Sequence, residues 1–270
     1  MDEVNYVSGR HRVYGIVGHP IEQVRSPETV TAEFVKAGHE GILVPLHVLP
    51  DDFECTVAGL LRMPNLGGLI FTVPYKQRAV ALANSLGRNA QVVGAINVIA
   101  RDGTGGWKGE MFDGVGCVEG FRRRGIAFKG KRVTLIGLGG AGSALAVAIA
   151  HEAPAALRLS DIDAAKAEQV ALRLRHINPH IDIDVGAPSL EDRDILLNAT
   201  PVGMLGDPRL PIAADRLPQA LTVFDAIVKP DTTPLLKLAE ASGCTIVRGR
   251  EMMAGQMWRI AEYLRGAVTP

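Results

Sequence analysis

The chain lacks the features that would assign it to several protein classes at once. Its 29 basic and 29 acidic residues balance and no basic block dominates, which argues against a nucleic-acid partner. Its three cysteines, Cys55, Cys117 and Cys244, are widely scattered with no CxxC pair. The sequence therefore indicates no metal site and no disulfide framework, and we expect the thiols to be buried.

Membrane and export signals are missing as well. No stretch of the roughly 18 apolar residues that a membrane-spanning helix needs is present. The segment from Met1 to Asn5 lacks the charged-then-apolar order of a secretory signal. We therefore expect a cytoplasmic protein with no membrane partner. Its 270 residues, 47% of them hydrophobic, are enough for two modest domains with their own cores.

The most informative segment is VTLIGLGGAG at residues 133–142, where an apolar strand leads directly into a glycine-rich turn. Gly137 allows the tight turn, Gly139 lets the backbone approach a pyrophosphate, and Gly142 lets the following helix pack closely on the strand. The N-terminus of that helix offers N–H groups and a positive dipole end to phosphates. The segment predicts a dinucleotide site at Gly137, Gly139, Gly140, Ala141 and Gly142.

A second strand, residues 156–160, ends at Asp161, which lies 19 positions past Gly142, the usual place of a ribose-binding acid. A carboxylate there accepts hydrogen bonds from the adenosine ribose. The 2′-phosphate of NADP would face like charge, at about 4 kcal/mol per unit-charge pair at about 4 Å and an effective dielectric of about 20. The sequence therefore favours NAD. Alternatively, Asp161 or Asp163 caps the next helix, and capping by Asp163 would not exclude ribose binding by Asp161.

Strands and helices alternate along the whole chain, which predicts an α/β fold. In the N-terminal part, Pro27 behind Ser26 predicts a helix that is capped by Ser26. The expected strands there are 12–17, 42–46 and 68–72, and the expected helices are 28–37, 53–62 and 77–83. The later series has expected strands near 132–137, 156–160, 181–185, 194–198, 222–227 and 244–247, with helices at 143–152 and 164–176.

The last predicted helix, from Glu251 to about Gly266, carries an apolar face that must be buried. We expect it to fold back on the N-terminal part and make that domain discontinuous. The predicted domains are a substrate domain, residues 1–112 plus 248–270, and a Rossmann-like dinucleotide-binding domain, residues 113–247.

Short motifs occur in a fixed order along the chain. They are GHPI at 18–21 leading to SP at 26–27, TVPYK at 72–76, GAIN at 94–97, DGVG at 113–116, the glycine turn, NATPVGM at 198–204, TPLL at 233–236, and Gln256. In this order, and over nearly the whole length, the chain resembles the shikimate dehydrogenase family, including its quinate and shikimate-like branches.

The resemblance implies a fold, a reaction and a set of site residues. The fold is an N-terminal α/β substrate domain plus a C-terminal Rossmann-like domain, with a cleft between them that holds a cyclic hydroxy acid. The resemblance makes Lys76 and Asp113 the catalytic pair. It assigns Ser26, Thr72, Asn97 and Gln256 to the substrate and, beyond the glycine turn and Asp161, places Ile162, Asn198, Ala199, Thr200, Met204 and Met253 at the cofactor.

The chemistry explains why such a pair is needed. Oxidation of a secondary alcohol sends a hydride to the nicotinamide and a proton to a base. A lysine near its ordinary pKa of about 10.4 is a poor base; burial lowers that pKa and a neighbouring aspartate raises it. Lys76 and Asp113 are therefore interpreted as one coupled dyad. Without the family, Lys76 would be a surface lysine that starts a helix, and Asp113 a helix N-cap.

The other site residues have ordinary alternatives. Thr72 can be a strand-end threonine, Asn97 a turn asparagine and Gln256 a helix-surface glutamine. Ser26 can cap a helix, contact a substrate carboxylate, or do both. For Met204 and Met253, core packing is the simpler interpretation.

The chain departs from the family pattern at positions that bind the substrate carboxylate in shikimate enzymes. Val24 stands where serine is usual and Val228 where tyrosine is usual, and Ile70 and the pair Met111–Phe112 are further departures. Each lost hydrogen bond to a charged group costs about 1.5–3 kcal/mol. We therefore expect a relative of shikimate or quinate, altered at the carboxylate end with the ring diol retained, unless Arg25 or His19 compensates.

The cofactor end departs as well, because Asp161-Ile162-Asp163 replaces the Asn-Arg-Thr of NADP-using members. This again favours NAD over NADP. Two rival functions remain: an NADP-dependent biosynthetic shikimate dehydrogenase, and a non-catalytic NAD-sensing module. The sequence is equally compatible with a monomer and a homodimer.

Overall fold

The computed structural model describes residues 7–266, and these fall into two compact units. The first unit contains residues 7–91, 95–111 and 257–266, and the second contains 92–94 and 112–256. The sequence-based boundaries differ mainly at residues 248–256, which lie in the second unit. Residues 1–6 and 267–270, assigned above to the substrate domain, are outside the described residues.

The first unit is built on a six-stranded sheet of order β2-β1-β3-β5-β6-β4. The strands β1, β2 and β3 are parallel, whereas β5 runs antiparallel to β3 and β6. The strands are β1 (Arg12–Gly18), β2 (Gly41–His47), β3 (Leu66–Phe71), β4 (Ser85–Leu86), β5 (Val98–Arg101) and β6 (Trp107–Glu110). The helices are α1 (Ser26–Lys36), α2 (Phe53–Leu60) and α3 (Arg88–Val93), with 3-10 turns at Pro50–Asp52 and Arg78–Leu82.

The second unit is built on a six-stranded sheet of order β12-β11-β10-β7-β8-β9, in which every strand pair is parallel. The strands are β7 (Arg132–Ile136), β8 (Ala156–Ser160), β9 (Asp182–Val185), β10 (Ile195–Asn198), β11 (Thr222–Asp225) and β12 (Thr245–Val247). The helices are α4 (Asp113–Arg123), α5 (Gly140–His151), α6 (Ala164–Ile177), α7 (Pro234–Ala241) and α8 (Gly249–Leu264). The predicted α/β class and the Rossmann-like half are confirmed.

Each sheet has a point at which the chain order reverses. In the first, the chain leaves β1 for β2 on one side and returns to β3 on the other; in the second, β8 and β10 flank β7 in the same way. Loops diverge at such a switch point and leave a crevice at the carboxyl ends of the strands, where open α/β sheets bind ligands. The crevices therefore lie between β1 and β3 and between β7 and β10.

Helix α8 is shared between the two units. Its C-terminal half packs in the first unit, where the Leu264 carbonyl accepts from the Tyr14 hydroxyl at 3.4 Å and a Cβ on Gly68 would stand 2.5 Å from the Leu264 side chain. Its first turns belong to the second unit. The predicted return of the last helix to the N-terminal part therefore applies to residues 257–264.

Three local predictions are wrong. Arg25, not Ser26, is the N-cap of α1, and no side chain caps that helix. The helix expected at 77–83 is a 3-10 turn over Arg78–Leu82. Cys55 is exposed rather than buried, because α2 turns Phe53 and Val57 inward instead. Within residues 7–266, no helix is long and apolar enough to cross a membrane.

Candidate functional site

The glycine turn after β7 has the geometry that only glycine provides at two positions. Gly137 has a φ of +87°, in the left-handed region, and a Cβ there would stand 2.9 Å from the Thr200 nitrogen. A Cβ on Gly142 would collide with the carbonyl oxygen of Gly137, so α5 approaches the turn more closely than any side chain allows. The turn is thus packed between β7 and the loop that follows β10.

Helix α5 begins at Gly140, three residues before the predicted Ser143, with Gly139 as its extended N-cap. A Cβ on Gly139 would meet no atom within 4 Å. The first N–H groups of a helix have no intrahelical partner, and those of Gly140 and Ala141 lie at the positive dipole end of α5. The arrangement suits a phosphate.

Asp161 follows β8 and is hydrogen-bonded to the glycine turn. Its Oδ2 accepts from the Leu138 N–H at 2.6 Å, and its Oδ1 accepts from the Asp163 N–H at 3.0 Å. Asp163 is the N-cap of α6 and accepts from the Lys166 N–H at 3.1 Å. Capping therefore belongs to Asp163, and the Asp161 carboxylate stands beside the turn. Ile162, between them, is fully exposed.

Asn198 fixes the loop on the other side of the crevice. It is fully buried at the end of β10, where its Oδ1 accepts from the Thr200 N–H at 3.0 Å and from the Thr200 hydroxyl at 2.7 Å. The Ala199 N–H donates to the Ile136 carbonyl at 2.8 Å. The loop is thereby attached to β7, directly beside the glycine turn.

Asp225 completes this network and was missed by sequence reasoning. It has no solvent exposure, and its carboxylate accepts from Asn198 Nδ2 at 3.2 Å, the Thr233 hydroxyl at 2.7 Å and the Ile227 N–H at 3.0 Å. Burial raises the pKa of Asp225 to about 6, against these hydrogen bonds, which lower it. In the sequence, Asp225 falls within the strand expected at 222–227 and gives no separate signal.

The two methionines assigned to the cofactor are half-buried. Met204 lies in a turn after the Asn198 loop, where its N–H donates to the Pro201 carbonyl at 3.1 Å. Met253 lies on α8, next to Met252, which is buried. These positions do not decide between core packing and cofactor contact, so the role of both side chains at the cofactor stays a prediction.

Asp113 and Gln256 form a buried pair in the second unit. They are 2% and 4% exposed, and Gln256 Nε2 donates to Asp113 Oδ1 at 3.1 Å. Asp113 is the first residue of α4 and Phe112 is its N-cap, so the N-cap alternative for Asp113 is wrong. The helix-surface alternative for Gln256 is wrong too.

The glycines of the DGVG motif explain how this pair is brought together. A Cβ on Gly114 would collide with the Ala144 carbonyl of α5, and a Cβ on Gly116 would stand 2.6 Å from the Met252 carbonyl and 3.0 Å from Gln256 Cβ. Helix α4 therefore packs backbone to backbone against α5 and α8. That close approach places Gln256 at the Asp113 carboxylate.

In the first unit, backbone hydrogen bonds gather Thr72, Lys76 and Asn97 at the carboxyl end of β3. The Thr72 N–H donates to the Val17 carbonyl at 3.0 Å, the Ile96 N–H to the Lys76 carbonyl at 2.8 Å, and the Phe71 N–H to the Asn97 carbonyl at 2.8 Å. Asn97 is 3% exposed and Lys76 is half-buried. Lys76 lies in a turn before the 3-10 segment, so its interpretation as a surface lysine starting a helix is wrong.

The remaining predicted residues are less closely connected. Ser26 is buried at the start of α1, after the loop that leaves β1. Lys76 belongs to the first unit and Asp113 to the second, so the catalytic pair stays a prediction. Among the departures from the family pattern, Ile70, Met111 and Phe112 are buried, and Val24 and Val228 are half-buried. In the described part of the chain, no group of three or more His, Cys, Asp or Glu residues could hold a metal ion.

Comparison with known proteins identifies the family. Residues 16–99 match the model of the shikimate dehydrogenase substrate binding domain. A shikimate dehydrogenase (NADP+) of Rubrobacter xylanophilus is 32% identical over 255 residues, covering 93% of this chain and 89% of the relative. The chain belongs to the shikimate/quinate dehydrogenase family. Membership supports a nicotinamide-dinucleotide-dependent oxidoreductase.

Solved structures agree with this assignment over nearly the whole chain. A shikimate dehydrogenase in complex with NADP+ superposes with a TM-score of 0.85 at 26% identity, covering 97% of this chain and 92% of that one. The quinate dehydrogenase of Corynebacterium glutamicum in complex with NAD gives 0.80 at 26%, covering 95% and 94%. A ligand-free 5-ketofructose reductase of Gluconobacter sp. strain CHM43 gives 0.80 at 28%, covering 97% and 96%.

Proposed function

We propose that this chain is an NAD-dependent oxidoreductase that oxidises a secondary ring hydroxyl of shikimate, quinate or a related cyclic polyol acid, reversibly and with Lys76 and Asp113 as the acid–base dyad. The observation that carries the proposal is the Asp161 carboxylate, which is hydrogen-bonded to the glycine turn at 2.6 Å. The two cofactors occur in different relatives: the Rubrobacter enzyme is named with NADP+, and the Corynebacterium quinate dehydrogenase is in complex with NAD.

The cofactor preference rests on the charge at the end of β8. The glycine turn and the first N–H groups of α5 would hold the pyrophosphate, and Asp161 would accept from the adenosine ribose. The Leu138 and Asp163 N–H groups each use one acceptor site of Asp161, and an ionised carboxylate has about four, so sites remain for the ribose hydroxyls. A 2′-phosphate would meet this negative charge, and the following residue is Ile162, which supplies no compensating cation.

The protein supplies the groups that accept the proton. NAD, when bound, would supply the hydride acceptor. The hydroxyl proton of the alcohol would pass to the dyad as the alcohol carbon is oxidised. Gln256 holds one oxygen of Asp113 at 3.1 Å, which fixes the orientation of that carboxylate. Thr72 and Asn97, held beside Lys76 by the backbone, would bind the ring hydroxyls.

The proposal is tested by replacing Lys76 with methionine, which keeps the apolar stem and removes the amine. We expect K76M to lower kcat for quinate or shikimate oxidation by about 10²–10⁴-fold, since a positioned proton acceptor typically contributes that much. NADH formation is followed by absorbance, and NAD binding by calorimetry shows that the second unit is intact. Lys108→Met on β6 is the matched control.

Two outcomes would overturn the proposal in different ways. Undiminished turnover by K76M on the preferred substrate would remove Lys76 from the dyad. Tight NAD binding by the wild type without NADH formation from any ring acid would favour the non-catalytic NAD-sensing module instead. The ratio of kcat/KM for NAD to that for NADP distinguishes the NADP-dependent biosynthetic enzyme.

A further inference from the structure

Two histidines lie at the carboxyl edge of the first sheet and have no role in the function proposed above. His19 follows β1 directly and is half-buried, and His47 ends β2 and is exposed. Their rings are stacked with centroids 5.1 Å apart and an interplanar angle of 15°, and His19 Nδ1 is 2.8 Å from His47 Nε2. This hydrogen bond leaves His19 Nε2 as the nitrogen of that ring that can bind a ligand.

The position of His19 is set by the switch point between β1 and β3. Its N–H donates to the Val73 carbonyl at 3.0 Å, and a Cβ on the preceding Gly18 would collide with the methyl group of Thr72. Adjacent strands are about 4.8 Å apart. A substrate ring bound at Thr72 and Asn97 would therefore have to extend by only about one strand spacing to reach His19.

The imidazole pair has the chemistry of a carboxylate receptor. Across their hydrogen bond, one ring nitrogen donates to the other. When His47 Nε2–H donates to His19 Nδ1, His19 carries its proton on Nε2. His19 Nε2–H can then donate to a carboxylate in a charge-assisted hydrogen bond. Arg25, in the same loop, is exposed and already pairs with Glu28 at 3.4 Å.

We propose that His19 binds the carboxylate of the ring acid through Nε2 and that His47 is a positioning residue that holds the His19 ring. The inference rests on the proposed oxidation of a ring acid and names the group that recognises its acidic end. It accounts for the valine at position 24, because a different side chain at the same sheet edge supplies the missing hydrogen bond.

The test compares each acid with its methyl ester, which keeps the ring hydroxyls and lacks the charge. Quinate, shikimate and their methyl esters are assayed with the wild type, His19→Asn and His47→Asn. We expect H19N to lower the acid-over-ester ratio of kcat/KM by about 10–100-fold through KM, and H47N to lower it less. The matched control is His11→Asn, since His11 precedes β1 at the opposite edge of the sheet.

A second measurement separates this inference from the proposed function. Histidine ring NMR signals, assigned by their loss in H19N and H47N, are followed as quinate or methyl quinate is added. We expect quinate alone to shift them. If the wild type oxidises ring acids but the ring signals do not move and the acid-over-ester ratio is the same in H19N, the inference is wrong while the function stands. If the ring signals shift but no ring acid is oxidised, the proposed function is wrong and the carboxylate-binding role of His19 stands.

Discussion

At the scale of single residues, Asp225 is a buried ionisable group at the centre of the Asn198 network in the second unit. It has no solvent exposure, and three donors face it: the Asn198 amide, the Thr233 hydroxyl and the Ile227 N–H. These donors hold the Asn198 loop in place beside the glycine turn. Burial nevertheless raises the pKa of Asp225 from 3.8 to about 6, so desolvation outweighs the hydrogen bonds.

This shift makes stability depend on pH in a defined direction. The folded-state pKa of Asp225 is above the unfolded value, so its contribution is greatest at pH below about 4 and is lost as the pH rises through about 6. A shift of about two pKa units corresponds to about 3 kcal/mol. We expect Asp225→Asn to remove that slope, because an asparagine there can accept from Asn198 and Ile227 and donate to Thr233.

The measurement is urea unfolding of wild type and D225N between pH 4 and pH 7. The free energy of unfolding of the wild type, taken relative to D225N, should fall by about 2–3 kcal/mol over that range. A difference between the two proteins that stays constant with pH would mean that Asp225 is ionised in the fold at its ordinary pKa.

At the scale of elements, close helix packing decides where the acidic member of the proposed dyad lies. Helix α4 contains glycines at its contacts with α5 and α8, and Gly114 lies against the Ala144 carbonyl. An added methyl group there must push the two helices apart. We expect Gly114→Ala to lower the free energy of unfolding by about 1–3 kcal/mol, the usual cost of overpacking.

A helical glycine without such a contact provides the control. A Cβ on Gly59 in α2 would meet no atom within 4 Å, so Gly59→Ala should be neutral or stabilising by about 0.5–1 kcal/mol. Urea unfolding of both variants gives the comparison. Equal effects of the two substitutions would show that α4 does not depend on backbone contact with α5.

The elements also show what the sequence could and could not predict. Most parallel strands were predictable because they are short apolar runs that end in glycine or polar residues, as at Ile136 before Gly137. The two-residue strand β4, which is parallel to β6, was missed. The hairpin of Val98–Arg101 and Trp107–Glu110 was missed, since Lys108 and Gly109 interrupt any apolar alternation. Helix α4 was indicated only through the alternative of Asp113 as a helix N-cap, because its glycines lower helix propensity and are explained only by tertiary packing.

The candidate site shows the same division. The glycine turn and Asp161 could be found from local spacing, since their geometry is set within one strand-turn-helix unit. Asp225 and the contact between Gln256 and Asp113 could not, because the partners are 27 and 143 positions apart in the chain. Nothing in the local sequence around either acid indicates its partner.

At the scale of the whole molecule, the chain joins two α/β units, each with a switch point that carries part of the proposed chemistry. Thr72, Lys76 and Asn97 lie at the carboxyl end of β3, which borders the crevice between β1 and β3, and the glycine turn lies at the crevice between β7 and β10. These three residues belong to the first unit, whereas Asp113, Gln256 and the cofactor groups belong to the second. The central claim is the cofactor that the second unit selects.

The most direct test is the ratio of kcat/KM for NAD to that for NADP in oxidation of quinate or shikimate, measured for wild type and Asp161→Asn. Asparagine keeps an acceptor for the Leu138 N–H, removes the charge, and puts an amide NH2 in place of the oxygen that accepts from the Asp163 N–H. We predict that the wild type prefers NAD by about tenfold or more and that D161N loses most of that preference. A wild type that prefers NADP, or a D161N variant with an unchanged ratio, would contradict the account.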